Sequence, residues 1–264
     1  MSDTYLIYEQ SGTVAQVTFN RSDVLNAFKI SMFKELLEII ARVSDDDSVR
    51  VLLLTGNGRA FSAGIDLDEQ SHLFEDDIRL KPAQENLALM QDVSRQMLKL
   101  SKPIIAAING PAIGVGAELS IASDVRIASE DAYFMFAEVK RGIFETNGVM
   151  YFLPRLVGYG RALEWMLTGD RISAQDALKA GLVTHLKSGD DLLPFALAMA
   201  QRMAANAPIP MCLVKQVVQR SYDLDLESVM QLETAGTLDC IISDDFKEGV
   251  RAFLEKRSPK YQGR

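Results

Sequence analysis

A chain of 264 residues, 48% of them hydrophobic and 24% charged, suits one α/β domain or a core domain with a small appendage, and is too apolar for a disordered segment. The net charge of −8 excludes general nucleic-acid binding, which needs a concentrated basic face, and leaves any anionic ligand to a local cluster of N–H groups, Lys or Arg. Two cysteines, Cys212 and Cys240, exclude a disulfide framework and a cysteine-based zinc site.

The opening MSDTYLIYEQ lacks a basic segment followed by an apolar stretch, so no signal peptide is expected. No run approaches the roughly 18 apolar residues of a membrane span. The expected setting is the reducing cytoplasm, with no membrane and no nucleic acid as partner.

In chain order, Ala15, Val17 and Phe19 alternate as a half-buried strand does. Phe33, Leu36, Leu37, Ile40 and Val43 then recur at helical spacing, with Ser31 as the expected N-cap. Residues 50–55 (RVLLLT) read as a buried strand ended by the turn Gly56-Asn57-Gly58. A second helix is predicted over residues 84–98. A second buried strand (PIIAAI, 103–108) ends at Asn109-Gly110, and a third covers residues 124–128. Strands alternating with helices predict βαβ units with right-handed crossovers. Trp165 and Met166 fit a core helix.

Beyond about residue 190 the pattern is helix alone, with apolar stripes over 194–204, 210–220, 226–238 and 244–255. The chain is thus divided into a core, residues 1–190, and a helical C-terminal region, residues 191–264. The tail is expected to form a separate layer, and its leftover apolar faces favour self-association.

Three segments carry possible chemistry. Residues 58–67 (GRAFSAGIDL) follow a buried strand, and the small residues at 62–64 let the backbone approach a ligand closely. The same stretch also reads as an ordinary strand-to-helix turn. Residues 109–119 (NGPAIGVGAEL) join a strand, a glycine-rich turn and an apolar helix. The free N–H groups of a first helical turn, with the helix dipole, stabilise negative charge. A helix beginning near Gly114 points the Val115 N–H outward and places Glu118, one turn later, among apolar neighbours. A dinucleotide fingerprint would need glycine where Leu119 stands, and a plain helix cap would pair Glu118 with an Arg. In residues 132–142 (AYFMFAEVKRG), Glu138 ends a largely apolar run. Taken alone, it reads as a surface glutamate paired with Lys140 or Arg141.

Together the three resemble the crotonase (enoyl-CoA hydratase/isomerase) superfamily. FSAGIDL is similar to that family's first oxyanion-hole motif, NGPAIGVGAEL to its second, and AEVKRGIF to the segment holding its second acid/base. LTGDRISAQDALKAGLV (167–183) and DDFKEGVRAFLEKRSPKYQG (244–263) are also characteristic, so the resemblance runs from about residue 5 to the C-terminus. It implies an α/β fold, a crotonase-like spiral of ββα units with a C-terminal helical trimerisation layer, assembled as a homotrimer or dimer of trimers.

The resemblance also implies roles. A thioester carbonyl would sit between the backbone N–H groups of Ile65 and Val115. The family often has glycine at the second of these positions; since only the N–H is used, valine keeps the donor and adds bulk. Negative charge developing on such a carbonyl is stabilised by preorganised donors. Glu118 and Glu138 match the two glutamates of the family's hydratases, with Glu138 assigned the α-proton transfer and Glu118 the activation of water. Val24, Leu25, Ala63, Asp66, Leu67 and Gly114 are expected along the coenzyme A and substrate groove, and Lys256 near a phosphate.

The expected reaction is hydration of the 2,3 double bond of an acyl-CoA. Isomerisation, hydrolysis and non-catalytic CoA binding are the alternatives. No separate cofactor is expected, because CoA is part of the substrate. His72 and His185 are too few and scattered for a metal site, so none is expected, and Cys212 reads as an inert thiol. After Arg141-Gly142, many hydratases continue with a proline and a glycine-rich turn. This chain reads IFETNG (143–148) instead. Glu145 is therefore a third carboxylate candidate, expected at the surface. The acidic loop 68–82 is expected to help select the acyl group.

Overall fold

The structure, a computed structural model, describes residues 4–69 and 80–264. His72 and most of loop 68–82 lie outside the described residues.

The chain opens with a hairpin of β1 (Leu6–Ser11) and β2 (Val14–Phe19), turning at Gly12. Strands β3 (Val51–Gly56) and β4 (Ile104–Ile108) then add in parallel beside β2. One short strand, β5 (Ala112–Ile113), follows in sequence and belongs to a second sheet. Strand β6 (Val125–Ser129) completes the parallel run next to β4. The second sheet pairs β5 in parallel with β7 (Tyr133–Met135), which is antiparallel to β8 (Ile172–Ser173). The last strand, β9 (His185–Lys187), pairs with β6, giving the large sheet the order β1-β2-β3-β4-β6-β9.

The central strands are apolar at nearly every position because both faces are covered. Ala15, Leu52 and Ile104 stand in line across three strands and face the main core. Their neighbours Val51, Leu53, Ile105, Ala107 and Ile127 face a second, smaller core. On the main side lie α1 (Ile30–Asp45), which buries Phe33, Leu36, Ile40 and Val43, and α2 (Leu80–Lys99). Helix α3 (Val115–Ile121) is wholly buried. Helices α4 (Val149–Val157), α5 (Tyr159–Thr168) and α6 (Ala174–Lys179) complete this layer; α5 buries Met166 and packs the half-buried Trp165 on the core.

Two sequence expectations change here. Helix α1 starts at Ile30, so Ser31 lies inside it and does not cap it. The free Ile30 N–H is instead taken by the Glu69 carboxylate at 2.8 Å, a capping contact that no local pattern encodes. Helix α7 (Gly189–Ala204), which its all-helical surroundings group with the tail, covers the second face of the sheet through Leu192, Ala196, Met199 and Ala200. A sheet with two apolar faces requires that second layer.

Helices α8 (Pro208–Ser221), α9 (Leu226–Ile242) and α10 (Asp244–Leu254) stand further out. Helix α9 buries no residue, and α10 leaves Phe246, Val250, Phe253 and Leu254 exposed. The ion pair of the buried Lys215 with the half-buried Asp124 (2.7 Å) ties α8 to the core. The Arg50 guanidinium ties down the tail by donating to the carbonyls of Ala204 and Tyr261. No helix among the described residues is long and apolar enough to cross a membrane.

Beneath the end of β3, Phe19 packs edge-on against Phe28 and Phe61 at 4.9 and 5.0 Å between ring centres. All three are fully buried. Phe61→Ala is expected to lower stability by about 3–5 kcal/mol, read by urea unfolding; an unchanged midpoint would show that the ring is dispensable.

Candidate active site

Beyond β3 the chain turns back on itself, and two asparagines hold that turn. Asn26 is fully buried with φ 56°, a left-handed conformation that asparagine tolerates better than most residues. Its amide donates to the carbonyls of Asn57 (2.9 Å) and Ala60 (2.8 Å) and accepts the Arg21 N–H (2.8 Å). Asn109, just after β4, donates to the carbonyls of Gly58 and Ala60.

Residues 62–65 then run between two neighbours. Ser62 forms a parallel bridge with Ala112, and Ile65 one with Phe28. In the second bridge, the Phe28 N–H donates to the Gly64 carbonyl (2.7 Å) and the Asp66 N–H donates to the Phe28 carbonyl (2.8 Å). That pattern uses the groups flanking Ile65 and turns its own N–H the other way. Val115 is the first residue of α3, so its N–H has no acceptor within the helix. Neither amide meets a backbone or side-chain acceptor among the described residues.

The two backbones meet at glycines. Gly114 adopts φ 50°, ψ −120°, a conformation that side-chain-bearing residues avoid. A Cβ on Gly64 would lie 3.8 Å from the Val115 nitrogen. A Cβ on Gly114 would lie 2.7 Å from Glu138 Oε1. The parallel β5–β7 pair, with the Gly114 N–H donating to the Met135 carbonyl at 2.9 Å, brings the second and third segments side by side.

Glu118, one turn into α3, is wholly buried. It pairs with no arginine among the described residues. Oε1 accepts the Thr146 N–H at 3.0 Å and its hydroxyl at 3.2 Å, and Oε2 accepts the Asn147 amide at 2.6 Å. Burial, reinforced by the nearby Glu138 carboxylate, pushes Glu118 up to about 7 despite these donors. Glu138 opens a 3-10 turn (Glu138–Arg141) and is 9% exposed, so the surface reading fails. Lys140 pairs instead with Asp170 (2.6 Å).

Glu145 is the main correction. It is 7% exposed, not a surface residue, and oxygens of Glu118, Glu138 and Glu145 lie within 4.8 Å of one another. Burial, then the Glu138 carboxyl beside it, drives Glu145 well above the ordinary carboxylate range. Glu138 Oε2, both Glu145 carboxyl oxygens and Asn147 Oδ1 are buried without a hydrogen-bond partner among the described residues. The trio, not the histidines, is where hard oxygen donors for a cation gather among the described residues. A recess of about 290 Å³, walled by Ser94, Leu98 and Phe152, abuts Asn147.

Residues 9–264 match the sequence model of the family Enoyl-CoA hydratase/isomerase. The chain belongs to the enoyl-CoA hydratase/isomerase family. It is 36% identical over 264 residues to the putative enoyl-CoA hydratase/isomerase YngF of Bacillus subtilis (strain 168), covering all of both chains. It is 34% identical to the 1,2-epoxyphenylacetyl-CoA isomerase of Escherichia coli (strain K12), again over the whole of both. The crystal structure of an enoyl-CoA hydratase from Bacillus anthracis superposes with a TM-score of 0.94 at 34% identity, over 99% of this chain and all of the other. The α/β fold expected from the motifs is thus the crotonase fold of an enoyl-CoA hydratase/isomerase enzyme.

The remaining expected residues fall in two groups. The Ala63 N–H donates to the Leu25 carbonyl (2.9 Å), so Val24, Leu25 and Ala63 share one rim, with Val24 and Leu67 exposed. The Asp66 carboxylate is occupied: it pairs with Arg21 (2.8 Å) and accepts the N–H groups of Asp68 and Glu69. Burial opposes its charge, yet these donors hold it below its usual range. Lys256 is exposed beyond α10, and no described contact joins it to the carboxylates. Sequence reasoning missed Asn26, Thr146 and Asn147. The signal for the last two was the polar ETN where the family carries proline and glycine.

The raised Glu118 group makes stability depend on pH. The native state keeps the proton while the unfolded chain loses it, so stability falls as pH rises from the ordinary 4.5 to about 7 and levels off above. Glu118→Gln abolishes this component, since Asn147 can turn its unpartnered Oδ1 toward the new amide. Relative to the variant, the parent is expected to lose on the order of 3 kcal/mol across that window. Chemical denaturation at a series of pH values checks it, and parallel curves for the two proteins would refute it.

Proposed function

We propose that this enzyme adds water across the 2,3 double bond of an enoyl-CoA thioester. The observation that carries the reading is the meeting of Glu118 and Glu138, buried within 4.8 Å of each other, where Gly114 joins them to the unpaired amides. A thioester carbonyl between the N–H groups of Ile65 and Val115 gains two donors as it becomes an enolate oxygen. One such donor is typically worth about 100- to 1000-fold in rate.

The two acids divide the proton traffic. Glu118, as a carboxylate, takes a proton from water while the water oxygen bonds to the β carbon. The π electrons move toward the carbonyl oxygen, and Glu138 returns a proton to the α carbon. Thr146 and Asn147 aim Glu118 and keep part of its carboxylate character against burial. Coenzyme A would lie along the rim of Val24, Leu25, Ala63, Asp66 and Leu67, with Lys256 near a phosphate and Gly114 beneath the thioester. It is part of the substrate, so no separate cofactor is used. The free Cys212 and Cys240 accord with a reducing cytoplasm.

Glu118→Gln and Glu138→Gln are each expected to slow hydration of crotonyl-CoA by at least about 100-fold. The wild-type rate should rise with pH through about 7 as Glu118 loses its proton. An isomerase would need only Glu138 and prefer a 3-enoyl-CoA; normal CoA-ester binding without turnover of any substrate would leave a binding protein.

The apolar faces of α9 and α10 support a homotrimer or dimer of trimers. Sedimentation equilibrium should give three or six chains per particle, with Phe253→Asp weakening the assembly. A monomer at working concentration would contradict this.

A further inference from the structure

We infer that Glu145 is a positioning residue of this site, a neutral carboxylic acid whose O–H donates to the Oε2 oxygen of Glu138. The inference begins from unmet hydrogen bonds. Glu138 Oε2 and both oxygens of Glu145 are buried with no donor partner among the described residues, although the two carboxyls lie side by side. Buried polar atoms are rarely left unpaired. Two carboxylates cannot satisfy each other, because both only accept. A proton on Glu145 supplies a donor and removes a like-charge repulsion in a poorly solvated site.

Glu145 is the member that keeps the proton. Its charged neighbours among the described residues are Glu138, from the 3-10 turn, and Glu118, from α3, and none of them is a cation. Glu118 is already held as an acceptor by Thr146 and Asn147. Burial and both neighbours favour the neutral form of Glu145.

The consequence for the reaction rests on the hydratase reading. The trio then carries one negative charge throughout. Before water addition the charge is on Glu118. As water's O–H breaks toward Glu118 and the C–O bond forms, Glu138's O–H breaks toward the α carbon. The charge is then on Glu138, where the Glu145 O–H meets it. Glu145 neither gains nor loses a proton. Apolar sites elsewhere keep a carboxylic acid neutral so that it can donate in this way.

The test uses the full chain with Glu145→Gln and Glu145→Leu. Glutamine keeps a donor that does not titrate, and leucine removes it. Glu145→Leu should lower the crotonyl-CoA hydration rate by roughly 10- to 100-fold, the usual worth of a hydrogen bond to a charged group, and Glu145→Gln should recover most of that loss. In wild type the rate should fall at alkaline pH as Glu145 loses its proton and becomes a second negative charge beside Glu138. In Glu145→Gln that fall should move to higher pH. Infrared difference spectra across a pH titration should show, in wild type, protonated-carboxyl absorption that outlasts the titration of Glu118 and that loses the contribution of one carboxyl in Glu145→Gln. This arm needs no turnover and decides the pairing even if the leucine variant fails to fold. Should wild type hydrate no enoyl-CoA, the hydratase reading fails while the infrared result still decides the Glu138–Glu145 pair. Unchanged absorption in Glu145→Gln, or wild-type rates and pH profiles in both variants, would overturn the inference.

Discussion

The site is governed by the burial of three carboxyl groups at one point. Glu118, Glu138 and Glu145 share a space less than 5 Å across, inside an apolar shell. Carboxylates resist such an arrangement, and the structure offsets that resistance in two ways. Thr146 and Asn147 give Glu118 direct donors. The raised proton affinities of Glu118 and Glu145 let the cluster shed charge. A group poised near neutrality is what proton transfer in water requires.

The scaffold exists to bring three separate chain segments to that point. The large sheet, sealed on both faces, fixes the ends of β3 and β4, from which the two glycine-containing loops emerge. The small sheet joins β5 to β7 and so sets Gly114 against Glu138. Asn26 and Asn109 together lock the turn between β3 and Ile65. Wherever a side chain would block the meeting of backbones, there is a glycine. Among the described residues, the amides of Ile65 and Val115 are left without acceptors by the same geometry that satisfies their neighbours.

Much of this was legible in the sequence. The parallel strands announce themselves as short apolar runs ended by glycine, and the four C-terminal helices as stripes. Glu118 stood out because a carboxylate in AELSIA has no business facing apolar neighbours without a function. Other features depend on tertiary contact and leave no local trace. Ser31 looked like a cap, yet a carboxylate 39 residues away serves the helix start. Helix α7 resembles its tail neighbours in pattern but is recruited to the open face of the sheet. Glu145 follows the exposed Ile143 and Phe144, which made the surface reading natural; only the fold returns the chain inward at that residue. Asp66 sits in the motif but spends its carboxylate on Arg21.

The most direct measurement is a crystal structure with a bound CoA thioester whose acyl group mimics the enolate. The thioester oxygen should lie within hydrogen-bonding distance of both the Ile65 and Val115 nitrogens, with its α carbon against Glu138 and Glu118 facing the β carbon. A thioester oxygen held elsewhere, or either glutamate turned away from the bound acyl group, would contradict the account.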